Sequence, residues 1–151
     1  MKQIDDKKTI DVNGKLEGEL SKERDEWNEK IIDLIESMKD TRKLSESQVI
    51  QLSYRQQVQE RLASYRILHE QRQNVLENLM KDRFREYSIS YDLKLSGAEK
   101  TAFINADCGA MKLQVSMIKT QITFFEECVK TLDNFGFAIR NKIEIISQQL
   151  I

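Results

Sequence analysis

Proline is absent from this 151-residue chain, and glycine occurs only five times. Proline fixes φ and lacks an N–H, and glycine serves tight turns. Their scarcity excludes loop-rich folds and sandwiches with many hairpins, and it favours long uninterrupted helices. No run of about 18 apolar residues occurs, so no segment reads as a membrane span. The first residues, "MKQIDDKKTID", carry no apolar stretch and do not read as a secretory signal. Cysteine is limited to Cys108 and Cys128. On one helix these would sit roughly 30 Å apart, beyond the reach of a disulfide, so they read as reduced, buried, small hydrophobes of a cytosolic protein.

Sequence signals for catalysis are equally scarce. The single histidine, His69, lies among Gln and Glu. The chain has no Cys-x-x-Cys and no His-Glu-x-x-His, and Gly14-Lys15 is followed by Leu16 without the upstream glycine of a phosphate-binding loop. The expectation is a non-enzyme with no catalytic residue, metal or cofactor.

What is present is apolar periodicity and a gradient of charge. Apolar residues make up 40% of the chain, enough for one modest domain. Residues 1–40 carry 8 Lys/Arg against 12 Asp/Glu, residues 41–87 carry 9 against 6, and residues 88–151 carry 7 against 7. An acidic end, a basic middle and a neutral apolar end suggest different tasks.

The fold class expected is all-α: long amphipathic helices assembled into a homo-oligomer. Residues 1–15 are polar, contain Asn13-Gly14 and read as a flexible tail. Leu16, Leu20, Trp27, Ile31, Leu34 and Met38 recur at helical spacing and define an acidic helix over 16–40, which either binds a partner or simply packs. With Ser45 or Ser47 as N-cap, a long basic helix follows over 45–87, carried by Val58, Leu62, Tyr65, Leu68, Val75, Leu79 and Phe84. Residues 88–97 are a connection.

A heptad helix over 98–150 completes the domain 16–151. Val115, Ile122, Val129 and Ile143 fall at a, with Ile118, Phe125, Leu132 and Ile139 at d; Gly136 is the one gap in the seam. Apolar residues at c and g widen the stripe beyond a two-stranded seam. Because the chain offers too few other helices to cover both this arc and the long middle helix, these eight residues are expected to mediate self-assembly, with a monomeric helical bundle as the alternative.

The basic segment ends in "MKDRFREY", residues 80–87. On a helical wheel with Met80 at zero, Phe84 falls at about 40° and Tyr87 at about 340°. Lys81 and Arg85 flank this stripe at about 100° and 140°, and Arg83 at about 300°. Cations beside aromatic faces suit single-stranded nucleic acid, where phosphates are neutralised and bases stack without sequence preference. Arg61 and Arg72 precede Arg83 at intervals of 11 residues and would extend the track. The plainer alternative is a helix end in which Phe84 and Tyr87 are core and Asp82 and Glu86 pair the cations.

Together with this stretch, "SGAEKTAFINAD" (96–107), "LDNFGFAIRNKI" (132–143) and the acidic helix around Trp27 with "IIDLI" behind it resemble the UvsY family of recombination mediators of tailed phages. The likeness extends from about Glu23 to Ile143. It implies a non-enzymatic ring, hexameric or heptameric, that binds single-stranded DNA in the cytoplasm of an infected host cell. Such a ring helps a RecA-like recombinase replace the single-strand-binding protein, and it contacts both. Lys81 and Arg83 fall on the family's two basic DNA-binding positions, Phe84 on its apolar position and Tyr87 on the second of its paired aromatics. Arg85 stands where the family has an acidic residue, Glu86 where it has the first aromatic, and Phe135 where it often has arginine. An oligomeric helical scaffold that binds only protein partners is the other reading the sequence supports.

Overall fold

A computed structural model describes residues 2–150 as three helices: α1 (Lys2–Ser37), α2 (Leu44–Arg85) and α3 (Gly97–Gln149). No strand occurs among the described residues. The protein is all-α, and the long C-terminal helix packs against the other two.

The ends of the helices follow local chemistry. After α1 the Asp40 side chain accepts a hydrogen bond from the Arg42 N–H at 3.0 Å and starts a short 3-10 turn, Thr41–Lys43, that leads into α2. Ser47, expected as a cap, lies inside α2 and is buried, with its hydroxyl 2.8 Å from that of Ser37. α2 closes in a π turn, Glu86–Ser90, so helical geometry reaches slightly beyond the expected boundary. α3 opens with a reciprocal cap: the Glu99 N–H donates to the Ser96 hydroxyl at 3.2 Å, and that hydroxyl donates to the Glu99 carboxylate at 3.1 Å.

The chain divides into two compact units, each drawing on all three helices. The first comprises Met1–Gly18 with Arg66–Thr120, and the second Glu19–Tyr65 with Gln121–Ile151. In the first, Leu76, Tyr87, Ile104, Cys108 and Val115 form the core, with Leu79, Met80, Leu95 and Met111 packed around them. Asn13 is buried here. Its amide donates to the Ala110 carbonyl at 2.8 Å and accepts from Gln114 at 3.2 Å. The expected flexible tail is therefore corrected: α1 begins at Lys2, and Asn13-Gly14 lies in mid-helix. Asparagine is a turn former when its side chain is spare, but here α3 uses that side chain.

The second unit is built around Phe125, which is fully buried. Its ring stacks on Tyr65 at 5.7 Å and meets Trp27 edge-on at 6.4 Å, and Trp27 in turn meets Tyr54 at 5.6 Å. Aromatic pairs of this kind add about 0.5–1.5 kcal/mol each beyond burial. Gln121, also fully buried, donates to the Leu20 carbonyl at 3.2 Å and accepts from Arg24 at 2.6 Å.

These contacts change the meaning of the heptad. Val115, Ile118, Phe125, Leu132 and Ile139 are buried within one chain, and Ile122, Val129 and Ile143 are half-buried. The seam is thus not the free oligomerisation surface it was expected to be. The wide arc, extended by buried Gln114, Gln121 and Cys128, is covered in each unit by α1 and α2. In the first unit that cover includes the part of α1 before Leu16, which the sequence reads as a tail. Cys108 and Cys128 are free and buried, and burial pushes both thiols up, Cys128 to about 11.

The gap in the heptad has a steric cause. A Cβ on Gly136 would lie 2.9 Å from Nε2 of buried Gln51, which donates to the Leu132 carbonyl at 2.9 Å. Gly136→Ala displaces that amide, at a cost of about 1–3 kcal/mol, and gains about 1 kcal/mol in helix propensity. The expected result in urea denaturation is a net loss of about 1 kcal/mol. In a Gln51→Ala background the sign reverses, and Gly136→Ala stabilises by about 1 kcal/mol.

Candidate nucleic-acid interface

The end of α2 sorts the "MKDRFREY" side chains into two sets. The core of the first unit faces the side of the wheel occupied by Leu76, Leu79, Met80 and Tyr87. These residues fall between about 260° and 360°, which includes Arg83 at about 300° and excludes Lys81, Phe84 and Arg85. Tyr87 is accordingly buried, and its hydroxyl donates to the Asp107 carboxylate. The Arg83 guanidinium donates to Glu86 at 2.7 Å, and its Nε lies 3.8 Å from Asp107. Neither points to solvent as a free contact for a base or a phosphate, so both leave the expected strip. For these two residues the plainer alternative holds.

Phe84 faces outward and is 55% exposed. With Met80 and Ile104 it lines a shallow groove of about 340 Å³, whose remaining walls are Lys81 and Arg85. Lys81 and Arg85 are exposed and pair with no carboxylate among the described residues. Asp82 is exposed on the same helix, at about 200° on the wheel and so on its far side. A fourth participant escaped the sequence reading: the Lys100 ammonium, from the first turn of α3, lies 5.9 Å from the Phe84 ring centroid. Its signal was latent in "SGAEK", but only the fold of the first unit brings that turn to α2.

The expected extension backwards along α2 is shortened. Arg61 belongs to the second unit, where it donates to Glu23 at 2.6 and 3.0 Å and to the Tyr65 hydroxyl at 2.9 Å. Its charge is thus matched by the acidic α1, which gives that helix a packing role in this unit. Arg72 is half-buried on α2 of the first unit, outside the residues that line the groove.

The Glu23 cluster makes stability depend on pH. Burial raises the Glu23 carboxyl, but hydrogen bonds from Arg61 and Tyr65, with the Arg61 charge, outweigh it and hold the group below its ordinary value of 4.5. Burial and the bond to Glu23 push the Tyr65 phenol up to about 12. A depressed carboxyl contributes stability above its unfolded pKa and loses it as pH falls through the folded value. Glu23→Gln is therefore expected to cost about 1 kcal/mol at neutral pH, since the group is partly exposed. It should also flatten the acid side of a stability–pH curve measured by circular dichroism below about pH 4.5.

Among the described residues no cluster of His, Cys, Asp or Glu is suited to hold a metal ion, and no helix is long and apolar enough to cross a membrane. The arrangement can accept an anion at Lys81, Arg85 and Lys100 and a flat apolar group against Phe84. Comparison with family models, curated proteins and solved structures gives no match.

Proposed function

We propose that the chain binds single-stranded DNA without sequence preference through the Phe84 groove and works as a non-enzymatic recombination mediator. One observation carries the DNA half of this reading: an exposed aromatic ring is ringed by Lys81, Arg85 and Lys100 while the nearby carboxylates Glu86 and Asp107 are held by Arg83 and Tyr87. Cations and a ring in one groove match phosphate and base together.

The mediator half rests on the likeness of the sequence to the UvsY family. It comprises displacement of single-strand-binding protein in favour of a RecA-like recombinase, contacts with both, and a hexameric or heptameric assembly in the cytoplasm of an infected cell. Because the heptad seam is used inside the chain, self-association is assigned to exposed apolar side chains such as Leu52 and Phe137, which line one groove of the second unit.

Fluorescence anisotropy of a labelled oligo-dT, titrated with protein at low and physiological salt, tests the reading. The expected result is binding that weakens with salt at a log–log slope of about −0.7 per phosphate neutralised. The apolar lining of the groove also fits a protein ligand. Absence of oligo-dT binding at either salt would decide for the protein-only scaffold.

A further inference from the structure

Tyr87 has a use other than contact with a base. Its ring forms the floor of an aromatic cluster in the first unit, 5.6 Å from Phe103 at an interplanar angle of 27° and 5.4 Å from Tyr91 at 69°. The bond from its hydroxyl to Asp107 fixes that floor. The two rings it supports lie 6.5 Å apart, tilted by 43°, and remain 41% and 42% exposed. Rings that merely complete a core lose nearly all their surface. These two pack against Tyr87 and still keep about two-fifths of their surface in solvent.

Their position relative to the Phe84 groove is set by α3. Phe103 lies one turn beyond Lys100, whose ammonium stands by the Phe84 ring, and directly precedes Ile104, which lines the groove. The first two turns of α3 therefore carry both Lys100, which stands by the Phe84 ring, and Phe103 of the second aromatic cluster. Of the carboxylates nearby, Asp107 is held by Tyr87 and Arg83 and Glu99 by the Ser96 hydroxyl, while Asp92, next to Tyr91, is exposed.

We infer that Tyr91 and Phe103 form a second base-stacking platform for the same single strand, with Lys100 neutralising the phosphate between the two stacked bases. This rests on the reading of the Phe84 groove as a DNA site. The ligand class follows from the chemistry. A π-face accepts any base, a cation on the same helix accepts the backbone, and a single strand presents unstacked bases and phosphates together.

The test compares oligo-dT with an abasic strand of equal length and charge, by anisotropy, on the wild-type protein and on Tyr91→Ala/Phe103→Leu. Leucine retains much of the packing against Tyr87 without a stacking face. The wild type is expected to prefer oligo-dT. The variant should lose roughly 5- to 150-fold of affinity for oligo-dT, the equivalent of one stacked base, and keep its affinity for the abasic strand. Unchanged preference in the variant would overturn the platform and leave the Phe84 site standing. Equal affinity of the wild type for both strands would overturn stacking and leave only a phosphate site. Wild-type protein that binds neither strand would overturn both readings. Should the double variant lose helicity, Tyr91→Ala alone carries the test, because Tyr91 lies in the connection outside the helices.

Discussion

A Lys81→Ala/Arg85→Ala protein is expected to bind oligo-dT between one and two decades more weakly than wild type at about 50 mM salt, with a salt slope shallower by about 1.4. The reasoning is direct. Each side chain is exposed, borders the Phe84 groove and pairs with no carboxylate among the described residues, so each is available to one phosphate. Losing two such contacts removes two counterion-release terms. Helicity and thermal stability should stay near wild type, since both side chains face solvent. Arg83→Ala gives the contrast. That guanidinium serves Glu86 and Asp107, so its loss should lower stability while the salt slope stays within error of wild type. If instead Arg83→Ala flattened the slope and the double variant did not, the outward set would be wrongly assigned.

Phe125→Ala is expected to cost about 3–5 kcal/mol, the range for a fully buried aromatic replaced by a methyl group. In a chain of this length that corresponds to a fall in Tm of roughly 6–20 °C, followed by circular dichroism at 222 nm. The effect is large because one ring serves three neighbours: Tyr65 at 5.7 Å, Trp27 at 6.4 Å and Phe124 at 5.4 Å. No movement of one helix refills such a site. Phe84→Ala, by contrast, deletes an exposed ring and should shift Tm by no more than about 2 °C, while weakening DNA binding. The two phenylalanines thus separate stability from function. A Phe125→Ala protein with wild-type Tm would mean that the heptad seam is not the core of the second unit.

The fold class was legible in the sequence because it depends on residues that are missing. With no proline and few glycines, the 3.6-residue period could run unbroken, and α2 and α3 fall within a few residues of the expected limits. The start of α1 was not legible, because Asn13-Gly14 carries a turn signal that a partner helix overrides. Periodicity gives which face of α3 is apolar, but not whether the covering helices come from the same chain. In the first unit the answer depends on the length of α1, marked by buried Asn13; in the second, α1 from Glu19 onward supplies the cover.

The candidate site divides along the same line. Lys81, Phe84 and Arg85 were readable because their chemistry is local to one helix turn. The fates of Tyr87 and Arg61 were not, because each is decided by a carboxylate far along the chain: Asp107 for Tyr87 and Glu23 for Arg61. Glu86, only three residues from Arg83, was the one partner within sight. Lys100 was not legible for the same reason, since its neighbour Phe84 lies across the connection between helices.

The central claim is that the outward face of the α2 terminus is where a single strand sits. The most direct measurement is a two-dimensional ¹⁵N–¹H spectrum of the protein titrated with short oligo-dT. Shifts concentrated on residues 80–85 and 100–104, with the amides around Phe125 unmoved, are the expected result. A titration that left residues 80–85 and 100–104 in place, or moved only residues elsewhere, would contradict it.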